Sequence, residues 1–223
     1  MLLVALFALA VASASSALTI TATDVTVTSA DVGQSFTIIY DGQTSGNVIN
    51  GLTASAVYTV QAVSSTSITL SVAMSNTSSS PITSSRVSVF GFDTNPNITS
   101  ATASGAFNVT VQGGALPSGF GNIEVCFKNG QGNNCQGGGG TGITLGQSGS
   151  TNLVLNFSSI GASGVTFSNF GVRYQSIAGA GNITSAVGKG TPGTPPVPEP
   201  GAMAVFGLGA LLVGAALRKR VLQ

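Results

Sequence analysis

Apolar and hydroxyl-bearing residues alternate along most of this chain. Thr19 to Thr28 reads Thr-Ile-Thr-Ala-Thr-Asp-Val-Thr-Val-Thr, a period-2 rhythm that turns one set of side chains inward and leaves threonines on the wetter face. Similar runs span Ser35 to Tyr40, Ala56 to Val63, Ser67 to Met74, Arg86 to Asp93, Ala106 to Gln112, Gly121 to Lys128, Asn152 to Phe157 and Val165 to Gln175. Each is rich in β-branched or aromatic residues, which suit a pleated, half-buried surface. Gly, Asn, Ser and Pro punctuate them, as in the hydroxyl-rich turns Ser64-Ser65-Thr66 and Ser75 to Pro81, whose side chains bond their own backbone. No amphipathic helix interrupts the series. The pattern predicts a mainly β body, an antiparallel β-sandwich of Ig-like or jelly-roll-like topology. No repeat of fixed period is present, which argues against a solenoid.

The two ends follow a different logic. Leu2 to Ala14 is an apolar run closed by the small-residue triplets Ala12-Ser13-Ala14 and Ser15-Ser16-Ala17, the pattern of a signal peptide over 1–17, although Met1-Leu2-Leu3 brings no Lys or Arg. The body is expected over 18–187. A Gly/Pro-rich stretch, 188–196, reads as an extended linker that can form neither helix nor inner strand. Beyond it come Val197-Pro198-Glu199-Pro200, an apolar segment from Gly201 to Leu217, and the basic cluster Arg218-Lys219-Arg220. A helix over that segment rises about 25 Å, slightly short of a hydrocarbon core of about 30 Å, and is expected as one transmembrane helix. Arg218, Lys219 and Arg220 then act as a membrane stop that stays on the cytoplasmic side.

Charge is scarce: 6% of residues are Asp, Glu, Lys or Arg, far below the usual quarter. Hydroxyls and amides must therefore solvate the surface. Within the body, Asp24, Asp31, Asp41, Asp93 and Glu124 oppose Arg86, Lys128, Arg173 and Lys189. Four dispersed cations cannot make the basic face that nucleic acid requires. With no histidine there is no general base for a hydrolase triad, and no Gly-x-Ser-x-Gly elbow occurs. The five carboxylates carry no glycosidase motif. No catalytic, cofactor-binding or metal-ligating residue is assigned, and none of these readings calls for a cofactor. Asp93-Thr94-Asn95-Pro96-Asn97 imitates the opening of a calcium loop, but Ile98 and Ser104 stand where an EF-hand needs glycine and glutamate.

Cys126 and Cys135 bracket Phe127-Lys128-Asn129-Gly130-Gln131-Gly132-Asn133-Asn134. With Asn129-Gly130 suited to a tight turn and export to an oxidising compartment, this reads as a β-hairpin stapled by a disulfide. The alternatives are two free thiols, or a metal clip for which further ligands are missing.

The ordered C-terminal elements, Val197-Pro198-Glu199-Pro200, the Gly/Ala-rich span and Arg218-Lys219-Arg220, resemble the PEP-CTERM sorting domain, also catalogued as the C-terminal domain of some ice-binding proteins. The resemblance covers Val197 to Arg220. The signal peptide calls for the export machinery and signal peptidase as partners, and the resemblance implies cleavage by an exosortase-type membrane protease and a Gram-negative cell surface where such proteins accompany exopolysaccharide in biofilm. Cys126 to Gly138, joined to that end and to a β-rich body, is similar to the cistern family of PEP-CTERM proteins, which brings no catalytic residues to carry over. The expectation is a non-catalytic exported protein of the surface or extracellular matrix. The alternative is a carbohydrate-binding module using Tyr40, Tyr58 and Tyr174, or an ice-binding module using threonines such as Thr19, Thr21 and Thr23.

Overall fold

In a computed structural model the described residues are 18–137 and 140–193. The signal-peptide segment 1–17 lies outside them, as does the sorting segment 197–220 with Val197, Pro198, Glu199, Pro200, Arg218, Lys219 and Arg220. Among the described residues no helix is long and apolar enough to cross a membrane. The described residues belong to one unit by their contacts.

The body is antiparallel β throughout. Its strands are β1 (Thr19–Ile20), β2 (Val25–Val27), β3 (Ser35–Thr44), β4 (Asn47–Val63), β5 (Ser67–Ser75), β6 (Ser84–Asn95), β7 (Ile98–Gly105), β8 (Val109–Leu116), β9 (Gly121–Lys128), β10 (Ile143–Thr144), β11 (Ser148–Phe157), β12 (Val165–Ala178) and β13 (Ser185–Pro192). They join one sheet in the order β7-β11-β5-β4-β3-β13-β12-β6-β9-β8, with β2 added on β12, β1 on β2 and β10 on β6. The sandwich expectation gives way here to a single sheet, nearly closed and barrel-like. Long strands make this possible. The 17-residue β4 and 14-residue β12 change register at Val60/Ala62 and at three places along β12, and such bulges add the local bend that lets one sheet curl.

Closure is visible in the chain order. Consecutive strands β7 and β8 stand at opposite ends of the sheet, so the three residues between them bring its edges together. The middle one, Phe107, is fully buried, and its ring meets Phe90 edge-on at 5.1 Å. Around it the interior holds an aromatic cluster in which Phe36 stacks on Tyr58 at 4.9 Å, with Phe92, Phe127, Phe167 and Phe170 alongside. Offset and edge-on ring pairs of this kind stabilise beyond their buried area.

Two further readings change. Thr19 to Thr28 is not one strand but the pair β1 and β2, with Thr19 opposite Thr26. The Thr21 hydroxyl oxygen accepts the Asp24 N–H at 3.0 Å and turns the chain, a local bond that competes with the extended run. The linker expected from Gly188 is a strand as far as Pro192, and β13 lies inside the sheet between β12 and β3. Its glycines are small for a packing reason. A Cβ on Gly188 would sit 2.7 Å from Val172 Cγ2, and one on Gly190 would sit 2.6 Å from Ile38 Cγ2 and 2.7 Å from the Tyr40 ring. Pro192, which has no N–H to give, stands at the strand's last position.

Candidate functional site

Strand alternation separates the inside of the barrel from its outside. On β3, β4, β5 and β11 the inward positions are apolar, among them Phe36, Ile38, Tyr58, Val60, Leu70, Val72, Leu153 and Leu155. Their neighbours point outward. One outer row crosses five strands as Ser104, Asn152, Ser71, Thr59 and Ser35. Another crosses as Ser148, Ser75, Ser55, Ile39 and Thr191. Adjacent hydroxyls bond one another across the strands: Ser35 to Thr59 at 2.8 Å and Ser75 to Ser148 at 2.7 Å. These rows hold no charged residue, and their groups repeat at the strand spacing of about 4.8 Å.

The outside of β8 and β9 carries the disulfide. Cys126 and Cys135 are bonded, with Cα atoms 5.8 Å apart, but the segment between them is not a hairpin. The reason is that both edges of β9 are already taken, by β6 on one side and β8 on the other. The chain after Lys128 therefore folds across the outside of the sheet. Cys135 seats over Gly114 of β8, where a Cβ would lie 2.6 Å from its sulfur. Both cysteines pack with Val89, Val111, Leu116, Ile123 and Val187 in a second, smaller apolar cluster. Phe120 and Leu116 cover Gly171, whose missing side chain makes the room. Lys128 is wholly covered by this layer, and its Nζ donates to the Gln131 carbonyl at 2.8 Å. Burial pulls its ammonium below the usual lysine range.

At one end of β6 and β9 two carboxylates meet in a depression of about 360 Å³ lined by Asp93, Thr94, Asn97, Asn122, Ile123 and Glu124. Here the segment resembling a calcium loop serves another purpose. Glu124 Oε2 accepts the Thr94 N–H at 2.6 Å and the Thr94 hydroxyl at 2.7 Å, while Oε1 accepts the Ile98 N–H at 2.8 Å. Asp93 Oδ1 accepts the Glu124 N–H at 2.7 Å, and Oδ2 accepts the Asn169 amide at 2.9 Å. Glu124 thus clasps the turn between β6 and β7, while Asp93 ties β6 to β9 and β12. Among the described residues no group of three or more His, Cys, Asp or Glu is placed to hold a metal ion.

The residues considered for sugar or ice do not converge. Tyr40, Tyr58 and Tyr174 are fully buried, so none offers a ring to a saccharide. Thr21 and Thr23 lie in the turn after β1, apart from Thr19 on the strand. The hydroxyl rows were not singled out in the sequence, yet their signal was there: Thr53, Ser55, Thr59 and Ser67, Thr69, Ser71, Ser75 alternate with buried residues on β4 and β5.

Residues 196–220 match the family model of the PEP-CTERM protein-sorting motif. The chain therefore carries, beyond the strand that ends at Pro192, a signal that supports export and sorting by an exosortase. No curated protein and no solved structure matches the chain.

Proposed function

We propose that this is a non-catalytic protein of the bacterial surface or extracellular matrix, exported, then released or transferred by an exosortase and associated with exopolysaccharide in the biofilm of a Gram-negative cell. The observation that carries the reading is the sorting motif at 196–220, placed directly after a β body whose last strand ends at Pro192. The motif marks the route. A disulfide-bonded and almost uncharged body suits an oxidising exterior rich in neutral polymer. Asp93 and Glu124, the two carboxylates that share a depression, have their oxygens engaged by N–H and hydroxyl donors, which favours structure over acid–base work.

Replacing Val197, Pro198, Glu199 and Pro200 together by alanine tests this in the native host. The protein is expected to accumulate in the membrane fraction and to be depleted from the extracellular polysaccharide. An unchanged distribution would overturn the reading.

A second reading, a carbohydrate-binding or ice-binding module, is favoured by the uncharged hydroxyl rows across β7, β11, β5, β4 and β3. A glycan array run beside a thermal-hysteresis assay separates the two ligands, and silence in both would remove this reading.

A further inference from the structure

Lys128 is the last residue of β9 and stands opposite Val109, the first of β8. The chain leaving β9 therefore runs beside the residues that enter β8. Between them lies a depression of about 430 Å³, lined by Asn108 and Val109 on one side and by 129–133 on the other. Its size falls within the range of about 300–1,000 Å³ common for small-molecule sites. Its polar groups are within reach of solvent, since Asn108, Gln131 and Asn133 are exposed and Asn129 is half-buried.

Two bonds fix the backbone of this rim. Lys128 Nζ donates to the Gln131 carbonyl at 2.8 Å, and the Thr141 hydroxyl donates to the Asn129 carbonyl at 2.7 Å. The Cys126–Cys135 bridge closes the segment, and Gly130 and Gly132, both at φ +99°, supply the left-handed turns that so short a path needs. An ammonium taken out of water is costly, yet Lys128 is wholly buried and its one acceptor among the described residues is that carbonyl. The fold thus commits a buried charge to the shape of an exposed loop. On this fixed rim stand the side-chain amides of Asn108, Asn129, Gln131 and Asn133, and among the described residues none of the four has a hydrogen-bond partner. Each offers two N–H donors and a carbonyl acceptor.

We infer that this depression is a binding site for a neutral saccharide, with Asn108, Asn129, Gln131 and Asn133 exchanging hydrogen bonds with sugar hydroxyls. A hydroxyl both donates and accepts, as a primary amide does, so the two match without any charge. Val109, half-buried in the same lining, gives an apolar spot for the C–H face of a sugar ring. Because the rim is in place before the ligand arrives, binding avoids the ordering that a free glycine-rich loop would cost. Other ligands fit less well. A metal cation would find no carboxylate in the lining, and the Lys128 ammonium, 3.4 Å from where a Gly132 Cβ would stand, would repel it. An anion would find that ammonium covered. Nucleic acid would find in the lining neither an aromatic ring to stack on nor a cation. The inference rests on the exopolysaccharide association proposed above and names the part of the body that makes it.

The test uses the full chain, ¹⁵N-labelled in a sugar-free non-ionic detergent, titrated with neutral oligomers of glucose, galactose, mannose and N-acetylglucosamine, with a galacturonate oligomer and with calcium chloride. At least one neutral oligomer is expected to move the side-chain NH₂ resonances of Asn108, Asn129, Gln131 and Asn133, assigned through single alanine variants. The double variant Q131A/N133A should lose about tenfold or more in affinity for that oligomer. Its melting temperature should hold, because both side chains are exposed and unbonded. The double variant S35K/N152K, on a hydroxyl row, should bind as the parent does. Stationary resonances with every neutral oligomer at millimolar concentration would overturn the site, and so would an unimpaired Q131A/N133A protein or a loss of binding confined to S35K/N152K. A shift with calcium chloride, or tighter binding of the galacturonate oligomer than of any neutral one, would overturn the choice of a neutral ligand. The two readings fail separately. Protein that binds no oligomer yet is recovered with the extracellular polymer overturns the site alone, whereas protein that binds an oligomer but is never exported overturns the route and leaves the site standing.

Discussion

The hydroxyl oxygens of Tyr40 and Tyr58 lie 3.0 Å apart in the middle of the barrel, with both rings wholly enclosed. Tyr174 joins them by donating to the Tyr40 carbonyl at 3.3 Å. Desolvation by burial is the main force pushing all three phenols above their ordinary range. Each is an acid whose neutral form the fold prefers, so the folded state holds protons that the unfolded chain releases above about pH 10. Stability is therefore fully present below that pH and falls as pH rises past it, by about 1.4 kcal/mol per pH unit per tyrosine and about 4 kcal/mol for the three together. In an alkaline titration, tyrosinate absorbance should appear in one cooperative step coincident with loss of β-sheet circular dichroism. Gradual ionisation of the folded protein near pH 10 would contradict this packing.

The staple and Gly114 act as a pair. Removing the disulfide as C126A/C135A should cost about 2–3 kcal/mol in urea unfolding, the chain-entropy value for so short a loop. Gly114→Ala should cost about 1–3 kcal/mol while the disulfide is present, because its Cβ would meet the Cys135 sulfur at 2.6 Å. In the C126A/C135A background that penalty should nearly vanish. A double-mutant cycle reads the coupling, and strict additivity would deny the contact.

Phe107 holds together strands at opposite ends of the sheet. Phe107→Ala should destabilise by about 3–5 kcal/mol, the range for emptying an aromatic site in a core. Because the Phe107 N–H also donates to the buried Thr151 hydroxyl at 3.1 Å, hydrogen exchange should quicken first at Phe107 and along β7. Uniform loss of protection over the whole barrel would argue against a local closure.

Much of the body could be read from its alternation, and the failures are specific. β7 is not marked in the sequence, because Ile98-Thr-Ser-Ala-Thr-Ala-Ser-Gly105 has few bulky side chains to signal an inward face. It is held by a full ladder with β11 and by the clasp of Glu124 on Ile98. β13 looked like a linker because glycine and proline signal breaks when read locally, whereas at Gly188 and Gly190 the missing side chains are what admit Val172, Ile38 and Tyr40. The cysteine pair was legible from its spacing and compartment. Its seat over β8 was not, since that depends on β6 and β8 having filled both edges of β9. Asp93 and Glu124 are 31 positions apart in sequence, and no local pattern announces that the Asp93 carboxylate accepts the Glu124 N–H while Glu124 holds the β6–β7 turn.

The hydroxyl rows make a separable prediction. Asn152→Lys with Ser35→Lys places two charges on exposed positions of one row, on strands that are not neighbours, without touching the core, so the stability change should be small, about 1 kcal/mol or less. If the neutral face touches polysaccharide, retention of the protein in purified extracellular polymer should fall several-fold while its melting temperature holds. Unaltered retention would direct attention to the stapled face instead.

The proposed route depends above all on the C-terminal motif being used. The intact mass of protein recovered from the cell exterior measures that directly. Processing at the 196–220 motif predicts a mature chain that retains β13 and the Cys126–Cys135 bridge but lacks the apolar segment and Arg218-Lys219-Arg220. A surface-exposed protein whose mass extends to Gln223 would contradict it.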